Sequence, residues 1–92
     1  MRMGPPRARR LGHLELTYHA LDSYVSRVPG AQYVRAAEDI AELEPDARYV
    51  RTRPTGEEIW RAPCNGGLLT LVVHRIARRP PILLTAIYEE TH

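Results

Sequence analysis

Ninety-two residues are enough for one domain with a single modest core. Hydrophobic residues make up 43% of the chain and charged residues 26%, the balance of an ordinary globular protein, and the net charge is +2. No run approaches the roughly eighteen apolar residues of a membrane-spanning helix, and the single cysteine, Cys64, excludes an internal disulfide framework and a cysteine-only zinc site, so a cytoplasmic setting is expected.

The mild net charge hides an uneven distribution. Residues 1–13 carry four arginines and no acid, residues 14–46 carry two arginines against seven acids, and residues 47–92 carry seven arginines against four acids. All thirteen cationic side chains are arginine, whose planar fork suits phosphate better than lysine's ammonium does. Charge alone reads equally as a solvated mixed surface or as a phosphate-binding face in the second half of the chain.

In chain order, residues 1–12 predict a flexible basic arm, because Pro5-Pro6 forbids a helix and no apolar period follows. A single α+β domain is expected over 13–92. Leu14-Glu-Leu16 has the alternation of a short strand, and Thr17 is placed to cap a helix whose inward stripe is Ala20, Leu21, Tyr24, Val25 and Val28. Pro29-Gly30 stops that helix. A second runs from Gln32 or Tyr33 to Glu44 with Tyr33, Ala36, Ala37, Ile40 and Leu43 inward, and Pro45 ends it. Tyr18, Tyr24 and Tyr33 are expected to pack between helices and sheet.

Beyond Asp46 the period becomes two. Strands are expected over 48–52, 57–62, 68–75 and 82–88, separated by Pro54-Thr-Gly56, Pro63-Cys-Asn-Gly-Gly67 and the basic Arg78-Arg-Pro-Pro81 loop. Their apolar content makes the last two central. The predicted fold is α+β, with two N-terminal helices packed on one face of a four-stranded, mainly antiparallel sheet.

No glycine-rich phosphate loop, paired-cysteine motif or nucleophile elbow occurs, and the four histidines are too dispersed to read as a metal set, so neither metal nor cofactor is expected. His19 is the best placed for chemistry, with Ser23 and Arg27 following at four-residue steps on the same helix face. On the strands, Arg51 and Arg53 alternate onto one face, Arg61 follows Trp60, His74 ends the third strand, and Thr85 and Tyr88 lie on the fourth. Metal-free RNA cleavage needs a base, an acid and cations at the phosphate. His19, His74 and Tyr88 can exchange protons, and arginines can hold the charge. Trp60 or Tyr49 suits stacking on a base, while a lone tryptophan in a small domain is more often core.

His19-Ala-Leu, Arg27-Val28, Gly56-Glu-Glu-Ile-Trp-Arg61, Leu69-Thr-Leu-Val-Val73 and Leu83-Leu-Thr-Ala-Ile-Tyr88 together resemble the RelE/ParE-type and BrnT-type small toxins and their small relatives, over roughly residues 14–88. The resemblance implies a metal-independent endoribonuclease. Its catalytic residues are then His19, Arg61, His74 and Tyr88, and its RNA-binding residues Arg27, Arg51, Arg53 and Thr85. It also implies an antitoxin partner. Ser23 stands where that family's first helical arginine falls, so one phosphate contact is missing. The competing expectation is a non-catalytic binding or inhibitor protein that engages a nucleic acid or a host protein through its basic arm and sheet face. An exposed strand edge also leaves room for a homo-oligomer.

Overall fold

The computed structural model describes residues 10–90. The order is β1 (Glu15–Leu16), α1 (Tyr18–Arg27), α2 (Tyr33–Leu43), a 3₁₀ turn (Glu44–Asp46), β2 (Arg48–Thr52), β3 (Glu58–Cys64), β4 (Gly67–His74) and β5 (Ile82–Glu90). The α+β class and the two helices are as predicted. The sheet has five strands, ordered β1-β5-β4-β3-β2, and it is mixed. The added member is β1, which runs parallel to β5 with Glu15 opposite Ile82 and Leu16 opposite Leu83, while every other pairing is antiparallel. Among the described residues no helix is long and apolar enough to cross a membrane.

Local chemistry accounts for most boundaries. The Thr17 hydroxyl accepts from the Ala20 amide at 3.0 Å and donates to the Leu83 carbonyl at 2.9 Å, so one side chain caps α1 and fastens it to the last strand. The α1 stripe is buried at Ala20, Tyr24 and Val28. The α2 stripe is narrower than predicted: Ala36 and Ile40 are buried, but Ala37 is exposed and Tyr33 is 53% exposed. Tyr18, at 84%, also faces outward, which leaves Tyr24 as the one helical tyrosine in the core.

The β3–β4 hairpin turns on Asn65-Gly66, both with positive φ (48° and 82°), the type I′ geometry that matches strand twist. β3 therefore runs on through Pro63 rather than stopping at Ala62. Proline is tolerated there because β2 ends opposite Arg61, so the missing N–H faces no ladder on that side. Gly67 cannot be replaced by a larger residue without moving β5, since a Cβ there would collide with the Glu89 backbone carbonyl and crowd the Tyr88 ring.

One face of the sheet carries the core. Trp60, Leu69, Leu71, Val73, Leu83 and Ala86 pack under the helices with Leu11, Leu14, Ala20, Tyr24, Ala36 and Ile40. Leu11, expected in the flexible arm, is 1% exposed and belongs to this cluster; residues 1–9 of that arm lie outside the described residues. The segment is held by polar bonds: the Leu11 carbonyl accepts from Arg75 Nη2 at 3.2 Å, and the Leu14 amide donates to Glu44 at 2.9 Å. Arg75 also grips Glu58 through Nε and Nη2, and Glu58 accepts from Trp60 Nε1 at 3.0 Å. Trp60 is thus core, edge-on to Tyr49 with ring centroids 5.6 Å apart, and is not available to stack on a base.

Candidate nucleic-acid interface

Side chains alternate between the two faces of a strand, and directly paired residues share a face. With Trp60, Leu69 and Leu71 on the helix side, the opposite face carries Arg61 and Ile59 of β3, Thr70, Val72 and His74 of β4, and Ile82 and Ile87 of β5. On β2 the alternation is interrupted. Tyr49 pairs with Trp60 and Arg51 with Ile59, so Val50 is an extra bulged residue. The bulge reverses parity and brings Arg48 and Arg51 to the same face. Among the described residues a helix reaches this face only at its β5 margin, where Ser23 of α1 meets Thr85.

Two cross-strand rows organise it. One runs Arg48, Arg61, Thr70, Ile87; the other runs Arg51, Ile59, Val72, Thr85. Arg48, Arg51 and Arg61 are all exposed, and none makes an ion pair with a described residue. The acids of β3 and the turn before it are already engaged, Glu58 with Arg75 and Glu57 with Arg53 at 3.8 Å, while Glu44 and Asp46 line a hollow with Arg48 without an ion pair to it. Glu15 and Glu89 sit at the β1 and far β5 margins, opposite Ile82 and Leu68.

The predicted RNA-cleaving quartet does not assemble. Arg61 and His74 share the open face, but Tyr88 pairs with Leu69 on the helix face. His74 lies five residues along β4 from Leu69, about 17 Å at ~3.4 Å per residue. The Tyr88 hydroxyl donates to the Asn65 carbonyl at 2.8 Å, and partial desolvation and Glu90 push its pKa up, so it acts as a latch on the hairpin. His19 is exposed in the first turn of α1, across the β5 edge. Among the described residues one hollow lies beside β2 at Arg10, Glu44, Arg48 and Tyr49, and another at Tyr24, Asp39 and Cys64. None of the four lines either one.

Of the predicted RNA-binding residues, Arg51 and Thr85 stand in one row. Thr85 is tied to the helix layer: the Ser23 hydroxyl lies 3.2 Å from Thr85 Oγ1 and 3.4 Å from His19 Nε2. Arg53 falls in the β2–β3 turn instead of sharing a strand face with Arg51. Arg27 closes α1, where a cation complements the helix's C-terminal dipole. Arg48 and Thr70 were not singled out from the sequence, because strict alternation puts Arg48 on the other face from Arg51. Only the bulge unites them, and no residue type announces it.

No protein-family model, curated protein or solved structure matches this chain. Its chemistry is therefore read from its own side chains. Among the described residues no group of three or more histidine, cysteine or acidic side chains is placed to hold a metal ion. Cys64 is buried, and burial pushes its thiol up despite a hydrogen bond with Tyr24, so the sulfur stays protonated and poorly nucleophilic. Burial also raises the Tyr24 phenol, with Cys64 and Asp39 adding to it.

Both groups bind a proton more tightly folded than unfolded. Their contribution is complete below the ordinary thiol range, and stability falls as pH rises beyond it, because the unfolded chain then gives up protons that the fold retains. Thermal melts should show a falling Tm above about pH 9, and Tyr24→Phe with Cys64→Ala should flatten that decline. An unchanged slope in the double variant would assign the alkaline loss to other groups.

Proposed function

We propose that this protein is a non-catalytic RNA-binding module that grips the phosphate backbone with the uncovered face of its sheet. The observation that carries the reading is the set Arg48, Arg51 and Arg61, gathered on one face with no acidic partner among the described residues. A protein partner docking by apolar contact is less well supported. The central apolar residues of this face, Ile59 and Val72, are each 4% exposed, so a partner would have almost no further area to bury there. Apart from the Pro63–Leu68 pair at the hairpin end and His74 at the other, what remains exposed along the two rows is chiefly guanidinium. With Trp60 in the core and Tyr49 beside it, base stacking does not contribute, and binding is expected to be indifferent to sequence.

The resemblance to RelE/ParE-type and BrnT-type toxins supplies a second reading, metal-independent RNA cleavage. Its supporting observation is the His19–Ser23–Thr85 chain of hydroxyl and imidazole at the end of the Arg51 row. The scattered positions of His74 and Tyr88 favour binding over cutting.

Titration of a labelled single-stranded RNA with the full chain at rising salt tests the proposal. Three phosphate contacts give a slope of log K against log salt of about −2, since each contact on a single strand contributes roughly −0.7. A slope near zero, or no binding at 50 mM salt, would remove the reading. Time-dependent cleavage of the RNA that His19→Ala abolishes would replace it with the second.

A further inference from the structure

Arg48 and Arg61 are directly opposite each other on neighbouring antiparallel strands, and Thr70 is directly opposite Arg61 on the next. Side chains so paired start with their Cβ atoms about 5 Å apart, and like charges in that position repel. No described acid forms an ion pair with either arginine: Glu57 and Glu58 are occupied by Arg53 and Arg75, and Glu44 and Asp46 share a hollow with Arg48 without pairing with it. β2 is the edge strand, so the Arg48 end of the row is open to solvent. Arg51 stands one row further along, about 7 Å away at ~3.4 Å per residue of strand.

Resting on the RNA-binding reading, we propose that Arg48, Arg61 and Thr70 form a site for a phosphate monoester, the terminal phosphate of an RNA strand, with Arg51 holding the next phosphate inward. Two forks converging from adjacent strands can each bind one phosphate through paired N–H groups, and the threonine hydroxyl reaches a remaining oxygen. An internal phosphodiester carries one negative charge. A terminal monoester carries about −1.5 to −2 at neutral pH, which suits two facing guanidiniums. The face would then both bind a strand and read where it ends.

The test compares one RNA sequence carrying a 5′-phosphate, a 3′-phosphate or hydroxyls at both ends, each titrated with the full chain at fixed salt. One phosphorylated form should bind about fivefold tighter than the hydroxyl form. Millimolar inorganic phosphate should erase that preference, weakening the phosphorylated RNA more than the hydroxyl-ended one, which keeps the Arg51 contact. Arg61→Lys, which keeps the charge but loses the fork, should also erase it, as should Arg48→Gln. Arg51→Gln should instead weaken all three RNAs by one common factor. Equal affinity of the wild-type protein for the three overturns the terminal site and leaves the RNA-binding reading standing. Failure to bind any of them overturns the reading itself.

Discussion

Replacing Arg48, Arg51 and Arg61 together by glutamine should lower RNA affinity roughly 10- to 100-fold, on the basis of about 0.5–1 kcal/mol for each exposed phosphate contact. The salt dependence should collapse at the same time. Wild-type binding is expected to weaken about 15-fold between 50 and 200 mM salt, whereas the triple variant should scarcely respond. All three side chains are exposed and unpaired among the described residues, so their loss leaves packing untouched, and the melting temperature should move by no more than a degree or two. A control with equal loss of charge, Gln32→Glu with Arg35→Glu on the exposed side of the helix layer, separates a local site from bulk attraction. If the control weakens binding as much as the triple variant does, the sheet face is not the interface.

The largest effect on stability is expected at Trp60. Truncation to alanine removes a 1%-exposed indole from the core cluster, at a cost of about 3–5 kcal/mol. Small domains are held by about 5–15 kcal/mol in all, so Trp60→Ala should be largely unfolded at 37 °C by circular dichroism. Trp60→Phe isolates the polar part. It keeps a ring against Tyr49 but removes the N–H that Glu58 accepts, and Glu58 still has Arg75, so the cost should be nearer 1 kcal/mol. Equal urea midpoints for the two variants would show that the indole's bulk is not what the core requires.

Much of the fold is legible in the residues because local chemistry dictates it. Thr17 caps, Pro29-Gly30 stops, Asn65-Gly66 turns, and period-two apolar spacing marks β3 to β5. The parts that escape the sequence are set by distant partners. Leu14-Glu-Leu16 looks like a strand, but nothing in three residues says that it pairs parallel with a segment 67 positions later. Leu11 reads as tail until Arg75 is seen bonding its carbonyl. Tyr33 and Ala37 fit the α2 period yet fall outside the width that the sheet covers.

The candidate site was less readable than the fold for a related reason. Arg61 and Arg51 stand out as basic strand residues, and they do share a face. Residue type alone groups His74 and Tyr88 with them, but type carries no information about which face or which end of a strand a side chain occupies. Arg48 joins only through a bulge at Val50, an exposed valine with no glycine or proline to mark it. A one-residue insertion thus decides the composition of the interface.

The parallel β1–β5 pairing has a consequence for how the protein is made. α1 is fastened to β5 through Thr17 and Ser23, so the first elements synthesised find their partners only when the last strand appears. During translation β1 and α1 lack their β5 partner, and the α1 apolar stripe stays incompletely covered until residues 82–90 clear the ribosome. Such a high contact order means slow, all-or-none folding. A nascent chain stalled before residue 82 should remain a chaperone client, however well its two helices are capped.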